Sequence, residues 1–270
     1  MRDENDTPSR GAVWLAALTE GAGALPGYPP SVRVVDAELA GRPARWIAVV
    51  PDPHNAYPRA RTGEVGLVEG WALAQAVHEA VDADQGGARR PIVAVVDVSS
   101  QAYGRREEAF GIHQALAGAA GAYAEARQLG HPVIGLIVGK AMSGAFLAHG
   151  YQANRLIALN DDGVMVHAMG KDSAARVTLR SVEDLERLAA DVPPMAYDIA
   201  AYATLGLLWK LVDVHSATRP QDGDVAAVRG ALAAALDNIL GDPLPDLRGR
   251  LGGVNRQASS RVREKLRAQW

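Results

Sequence analysis

Two short stretches hold the residues best suited to chemistry. One is Gly139-Lys140-Ala141-Met142-Ser143-Gly144-Ala145, which follows the apolar run 132–138 and precedes a helical pattern over 145–153. The other is Val98-Ser99-Ser100-Gln101, which follows the apolar run 91–96 and precedes a helical pattern over 105–129. Small residues at a strand-to-helix turn leave backbone N–H groups bare. Two such donors aimed at one carbonyl oxygen stabilise an enolate or a tetrahedral oxyanion, and losing one costs roughly 2.7–4 kcal/mol of barrier. Neighbouring strands lie about 4.8 Å apart, so a donor from each turn can meet the same oxygen. Gly144 and Ala145 are then the backbone donors, paired with Ser100 or Gln101, while Ser143, Lys140 and Ser99 would touch the substrate. Small residues also follow strands simply because helix and sheet pack closely, and spacing alone does not choose between the two readings.

Several further residues carry a chemical and a structural reading side by side. Lys140 can attract a carboxylate or phosphate, or sit solvated in a loop. Ser100 and Gln101 can orient a carboxylate or cap the helix beginning near Arg105. Arg105-Arg106-Glu107-Glu108 is most simply a solvated first turn. Asp161-Asp162-Gly163 lies between two short apolar runs and reads as a turn before it reads as a metal pair. His149 reads as a satisfied helix histidine, and Gly118 and Gly121 as close helix packing or a subunit interface. No His, Asp and Glu spacing suggests a bound metal.

The elements that must position these groups follow from periodicity. Ser9 caps a helix through Leu18 with Trp14, Leu15 and Leu18 on one face. Residues 32–39 and 45–50 read as strands joined by a turn at 41–43, and 51–58 as a proline-rich loop. A helix is expected over 64–84, with Leu67, Trp71, Ala74 and Val77 as its buried stripe. The runs 91–96 and 132–138 are continuous and apolar, as strands covered on both faces must be. Further short strands fall at 155–159 and 164–166. Alternation of strand, loop and helix predicts an α/β fold with a parallel sheet, and ligands then bind beyond the carboxyl ends of the strands. After residue 180 the pattern turns helical: Ser181 opens a helix, and others cover 197–208 and 221–240, with a short apolar run at 211–214 between them.

The 270 residues suffice for one large domain, expected to span 1–270, with residues 1–9 and about the last 15 mobile or docked on a partner. A net charge of −3 and the lack of a basic, aromatic-studded stripe argue against nucleic acid. The chain has no cysteine, which removes disulfides and thiol nucleophiles. No signal-like or membrane-spanning stretch is apparent, so a cytoplasmic location is the default expectation.

The loop and its surroundings resemble the crotonase/ClpP superfamily, whose oxyanion holes come from two strand-end loops. Gly139-Lys140-Ala141-Met142-Ser143-Gly144-Ala145 is similar to the "GKAYGGAY" loop of biotin-dependent carboxyltransferases. Val96-Asp97-Val98-Ser99-Ser100-Gln101 stands where those proteins carry "DTPGF", and Leu205–Asp213 looks like the superfamily's "GLVD" element. Residues 10–19 and 164–178 extend the resemblance to the gamma-subunit family of biotin-independent malonate decarboxylases, over about residues 10 to 240. The resemblance implies a crotonase-like superhelix of ββα units with a helical C-terminal region. It also implies a homologous beta subunit as partner, together with an acyl carrier protein subunit and the alpha subunit that transfers the carrier. The carrier's phosphopantetheine arm, derived from dephospho-coenzyme A, would bring the malonyl thioester. Loss of CO2 would leave an enolate, protonated to the acetyl thioester, with no biotin and no cofactor held by this chain. Ser99-Ser100-Gln101 in place of Pro-Gly-Phe fits a biotin-free reaction. Alternatives are the carboxyltransferase half of a biotin-dependent acyl-CoA carboxylase and a non-catalytic scaffold completing the beta subunit's site. The resemblance to ClpP peptidases offers Ser143 as nucleophile and His167 as base. There, however, the serine stands two before the glycine, where this chain has Met142, so His167 reads better as a hydrogen-bonded wall of the pocket.

Overall fold

A computed structural model describes residues 8–270. Of the stretch 1–9 expected to be mobile or partner-docked, residues 1–7 lie outside the described residues. Ser9 is already engaged, its Oγ accepting the Ala12 N–H at 3.3 Å as the cap of α1 (Arg10–Leu18). That helix buries Trp14, Leu15 and Leu18 as expected, and the Trp14 indole donates to the Ala217 carbonyl at 2.8 Å.

The strands form one seven-stranded sheet in the order β1-β2-β3-β4-β5-β7, with β6 pairing β4. β1 (Val32–Leu39) and β2 (Arg42–Val49) make an antiparallel hairpin. Its turn falls at Ala40 and Gly41, both at positive φ, which matches the twist of a tight hairpin. Pro43 therefore lies inside β2 rather than in the turn. The ladder to β3 begins only at Arg45, so its missing N–H costs no bond there. β3 (Ile92–Val98), β4 (Val133–Met142), β5 (Arg155–Asn160), β6 (Met165–His167) and β7 (Lys210–Asp213) are linked by parallel pairings, as the alternation predicted. β3 and β4 occupy the middle of the sheet, and most of their residues are fully buried.

α2 (Leu67–Ala83) and α4 (Ile112–Gln128) pack on each other, close enough that a Cβ on Gly70 would stand 2.8 Å from the Ala115 backbone. Leu67, Ala74 and Val77 are buried, but Trp71 is 53% exposed. Leu73, Ala76 and Ala80 take the core-facing positions instead, and the indole rests over Gly118, which has no side chain to hold it off. The helix expected over 105–129 is two helices, α3 (Arg105–Ala109) and α4. Gly111 at φ +82 breaks it, a conformation glycine adopts without a Cβ clash. Glu107 is buried, so the first turn of α3 is not wholly solvated as expected.

The segment expected as a loop over 139–144 is strand as far as Met142. β4 pairs β5 along its first half, through Ile134–Ile137, and β6 along its second, through Lys140–Met142. Gly139 does not end the strand; it makes room for the Asp97 carboxylate, which a Cβ there would overlap. α5 (Ser143–Ala148) follows directly and is shorter than the pattern to 153 suggested. Gly150 at φ +98 lies just beyond it.

The C-terminal part holds α6 (Lys171–Thr178), α7 (Val182–Asp191), α8 (Ile199–Ala203), α9 (Asp222–Leu240) and α10 (Gln257–Gln269). Ser181 caps α7, accepting the Asp184 N–H at 3.0 Å. α8 is shorter than the expected 197–208 because the chain leaves it to form β7. α9 returns to the sheet and buries Val228, Leu232 and Leu236. No residue of α10 is buried. Among the described residues no helix is long and apolar enough to cross a membrane.

Candidate active site

The ends of β3 and β4 lie side by side, where the sequence placed its two chemical stretches. Their ladder shifts register at Asp97, between the pairs Val96–Ile137 and Val98–Ala141. The Asp97 carboxylate fills the irregularity. One oxygen accepts the Gly11 N–H and the other the Lys140 N–H, each at 3.1 Å. One side chain therefore ties α1, β3 and the distal half of β4 together. Sequence reasoning left Asp97 unassigned, although an acid closing an otherwise apolar strand was the signal available.

Ser143 turns β4 into α5 with φ +61, a left-handed conformation that costs an L-residue roughly 1–2 kcal/mol. Its Oγ donates to the Ala168 carbonyl at 2.8 Å. His167 does not partner it. The imidazole Nδ1 lies 3.0 Å from the Met169 carbonyl, and the ring stacks on Tyr197 with centroids 3.9 Å apart. Burial pulls the His167 pKa below its ordinary value. A Ser143–His167 nucleophile pair is not formed.

The Gly144 N–H instead meets a carbonyl from the other turn, donating to Gln101 Oε1 at 2.9 Å. That donor fixes the amide orientation, since only the oxygen can accept. Ala145 is fully buried, and its N–H falls in the first turn of α5, where the helix itself offers no acceptor. Of the pair Ser100 and Gln101, the structure brings only the Gln101 side chain to Gly144. The Ser100 hydroxyl donates to the Gln101 backbone carbonyl at 3.0 Å. Neither residue caps α3, whose cap position is Gly104. Ser99 donates to Glu64 Oε1 at 3.3 Å, and Lys140 is exposed at the rim.

The turn that carries Gln101 is held from an element the sequence did not connect to it. The Val65 N–H donates to the Ser100 carbonyl at 3.1 Å, and the Ala102 N–H donates to the Val65 carbonyl at 2.8 Å. Val65 is steadied in turn by Glu69, a fully buried carboxylate that accepts from Ser31, Asn55 and the Gly66 N–H. A cavity of about 340 Å³ opens beside the Ser143 turn, with Gly144, Leu147, His167, Tyr202 and Leu207 in its wall. Leu147 is exposed there, as are Tyr103 and Phe110 near the other turn.

The remaining candidates settle into structure. His149 is fully buried between the Tyr123 hydroxyl at 3.0 Å and the Val95 carbonyl at 3.1 Å, and burial pushes its pKa down to about 4. It is a neutral, satisfied core histidine. Asp161 pairs with Arg10 at 2.6 Å and accepts the Gly163 N–H in a turn. Among the described residues no cluster of His, Asp or Glu has the geometry to hold a metal ion. Gly118 serves helix packing, while Gly121 faces open space.

The family model for the malonate decarboxylase gamma subunit matches residues 60–270. A Pseudomonas malonate decarboxylase hetero-tetramer in complex with coenzyme A contains a chain 65% identical to this one, with a TM-score of 0.94 over 97% of this chain and 100% of that one. A Pseudomonas malonate decarboxylase MdcD-MdcE hetero-dimer contains one at 63% identity and a TM-score of 0.90, with the same coverage. The malonyl-S-ACP:biotin-protein carboxyltransferase of Malonomonas rubra is 35% identical over 201 residues, covering 73% of this chain and 68% of that protein. The fold is shared more widely. A transcarboxylase 12S chain superposes with a TM-score of 0.65 at 20% identity, over 90% of this chain and 44% of that one.

Proposed function

Since the chain belongs to the malonate decarboxylase gamma subunit family, we propose that it pairs with a homologous beta subunit to decarboxylate a malonyl thioester carried on an acyl carrier protein. The carrier's phosphopantetheine arm delivers the substrate, and the transferase subunit exchanges the acyl group upstream. The C–C bond to the carboxylate breaks, its electron pair moves onto the thioester carbonyl as an enolate, and CO2 leaves. The enolate carbon then takes a proton to give the acetyl thioester.

One observation carries this reading: an amide carbonyl already occupies the Gly144 N–H. Gln101 Oε1 marks where a thioester oxygen would sit. The Gly144 and Ala145 N–H groups hold that oxygen as it gains charge, and the displaced Gln101 amide turns its NH2 toward the same atom. Such a reaction needs charge stabilisation and a dry pocket rather than a nucleophile. That matches a site whose one serine hydroxyl is spent on a backbone carbonyl. Lys140 and Ser99 stand at the rim, where they can meet the departing carboxylate. The exposed Leu147, Tyr103 and Phe110 give the beta subunit an apolar surface with which to close the cleft. This chain holds no cofactor of its own on this reading, and the complex works in the cytoplasm.

A second reading has one observation in its favour: the Malonomonas relative is named as a biotin-protein carboxyltransferase. Here the enolate would attack carboxybiotin, or form by giving CO2 up to biotin.

The test is reconstitution with the beta subunit and malonyl-loaded carrier, following CO2. Full-rate release from a complex lacking this chain would refute the catalytic reading. Inhibition by avidin would select the biotin reading, whereas a biotin-free decarboxylase ignores it. Gln101→Leu is expected to lower kcat about ten-fold, or about 1.4 kcal/mol of barrier, with assembly unchanged. An unchanged kcat with a lower KM would show that Gln101 merely blocks the site.

A further inference from the structure

α10 lies apart from the cleft and is amphipathic without burying anything. Val262, Leu266 and Trp270 recur every four residues and form one stripe; the first two are about half exposed and the last fully so. Helical spacing puts Arg263 and Arg267 along one side of the stripe and Arg261 and Lys265 along the other, with Glu264 on the opposite face. Four basic side chains and one acid thus sit on a single helix of a chain whose net charge is −3. The helix is anchored at its base, where Arg263 donates to the Leu251 carbonyl and the Asn255 N–H to the Thr204 carbonyl at 3.3 Å.

Size and charge together specify the occupant. Thirteen residues make a rod about 20 Å long and roughly 10 Å wide. One face of it supplies well under the roughly 800 Å² per partner of a stable interface. A small apolar centre ringed by like charge suits a partner that arrives by electrostatic steering and leaves again. We propose that α10 is the docking helix for an acidic protein that binds transiently. Resting on the functional reading above, this protein is the acyl carrier. The carrier must come and go once per turnover, and a basic helix outside the cleft holds its body while its arm reaches in.

The test uses the assembled complex and compares wild type with Arg261→Glu/Lys265→Glu/Arg267→Glu and with Val262→Asp/Leu266→Asp. Because no residue of α10 is buried, both variants keep the fold, which circular dichroism checks. CO2 release is measured against the concentration of malonyl-loaded carrier at low and high salt. Binding of fluorescently labelled, unloaded carrier is followed by anisotropy. Wild-type KM is expected to rise with salt. The charge-reversal variant should raise KM about ten-fold at low salt and lose the salt dependence, with kcat unchanged. The aspartate pair should weaken carrier binding at every salt concentration. An unchanged KM in both variants overturns the proposal. So does loss of subunit assembly by light scattering, which would make α10 the seat of a permanent subunit. So does cosedimentation of the complex with anionic vesicles while carrier affinity stays at the wild-type value. If the wild-type complex releases no CO2 from the loaded carrier, the functional reading fails, while the anisotropy arm still tests the helix.

Discussion

The two turns that meet at the cleft are built on opposite plans. The end of β4 is rigid: Met142 is still paired to His167 in β6, Ser143 is locked at positive φ with its hydroxyl engaged, and Gly144 follows at once. The end of β3 is lent rather than built in. Its backbone is strapped to Val65 from another part of the chain, and its contribution is a long, rotatable Gln101 side chain. A preorganised oxyanion hole needs donors that do not relax as charge develops, and backbone N–H groups on a strand end meet that need. A side chain that must give way to substrate needs freedom to turn. The difference separates what the site holds still from what it moves.

The sharpest way to break this contrast is to spoil the rigid side. A Cβ on Gly144 would stand 3.3 Å from Gln101 Oε1, so the branches of valine would fill the oxygen's place. Gly144→Val is expected to cut CO2 release about a hundred-fold, or about 2.7 kcal/mol of barrier, with subunit assembly normal by light scattering. Intact turnover would instead support a scaffold role for this chain. Next comes the tie between the two sides. Asp97→Asn leaves one acceptor facing two N–H donors and should cost about 2 kcal/mol in urea unfolding, with a smaller loss of rate. An unchanged midpoint would mean that the strand ends hold each other without it. The smallest effect is expected at Ser143. Glycine relieves the left-handed strain while losing the bond to Ala168, so stability should stay within about 1 kcal/mol of wild type and the rate within about three-fold. Ser143→Ala keeps the strain and loses the bond, and should melt below Ser143→Gly. The opposite order would count against strain at the turn.

Local signals in the sequence transferred well. Ser9 and Ser181 cap the helices they were expected to cap, and β1 falls where its alternation put it. The continuous apolar runs became the mid-sheet strands whose ends meet at the cleft. What the sequence hid depends on partners far along the chain. Gly139 looks like a strand breaker until the Asp97 carboxylate, contributed by the neighbouring strand, is seen to need its space. Trp71 keeps perfect helical spacing with the buried stripe, yet Gly118 on another helix gives it a seat outside the core. Gly111 lies within an alanine-rich helical pattern, and nothing local announces its positive φ. The pairing of Gly144 with Gln101 spans 43 residues. Periodicity could bring the two turns near each other, but it could not say which atom would meet which. The oxyanion role of Gly144 and Ala145 and the rim roles of Lys140 and Ser99 therefore remain proposals tied to the substitutions above.

β4 works as a ruler. Its first half is scaled against β5 and its second against β6, so one ten-residue strand measures both the core and the turn that follows. Side chains alternate along it, and one residue gained or lost between Ile137 and Lys140 would rotate everything downstream to the other face. Lys140 would point inward and Gly144 away from Gln101. Length changes over these positions are thus closed to this lineage. Its variation must be spent on substitutions and on the loops beyond α5, where adding a residue moves no donor.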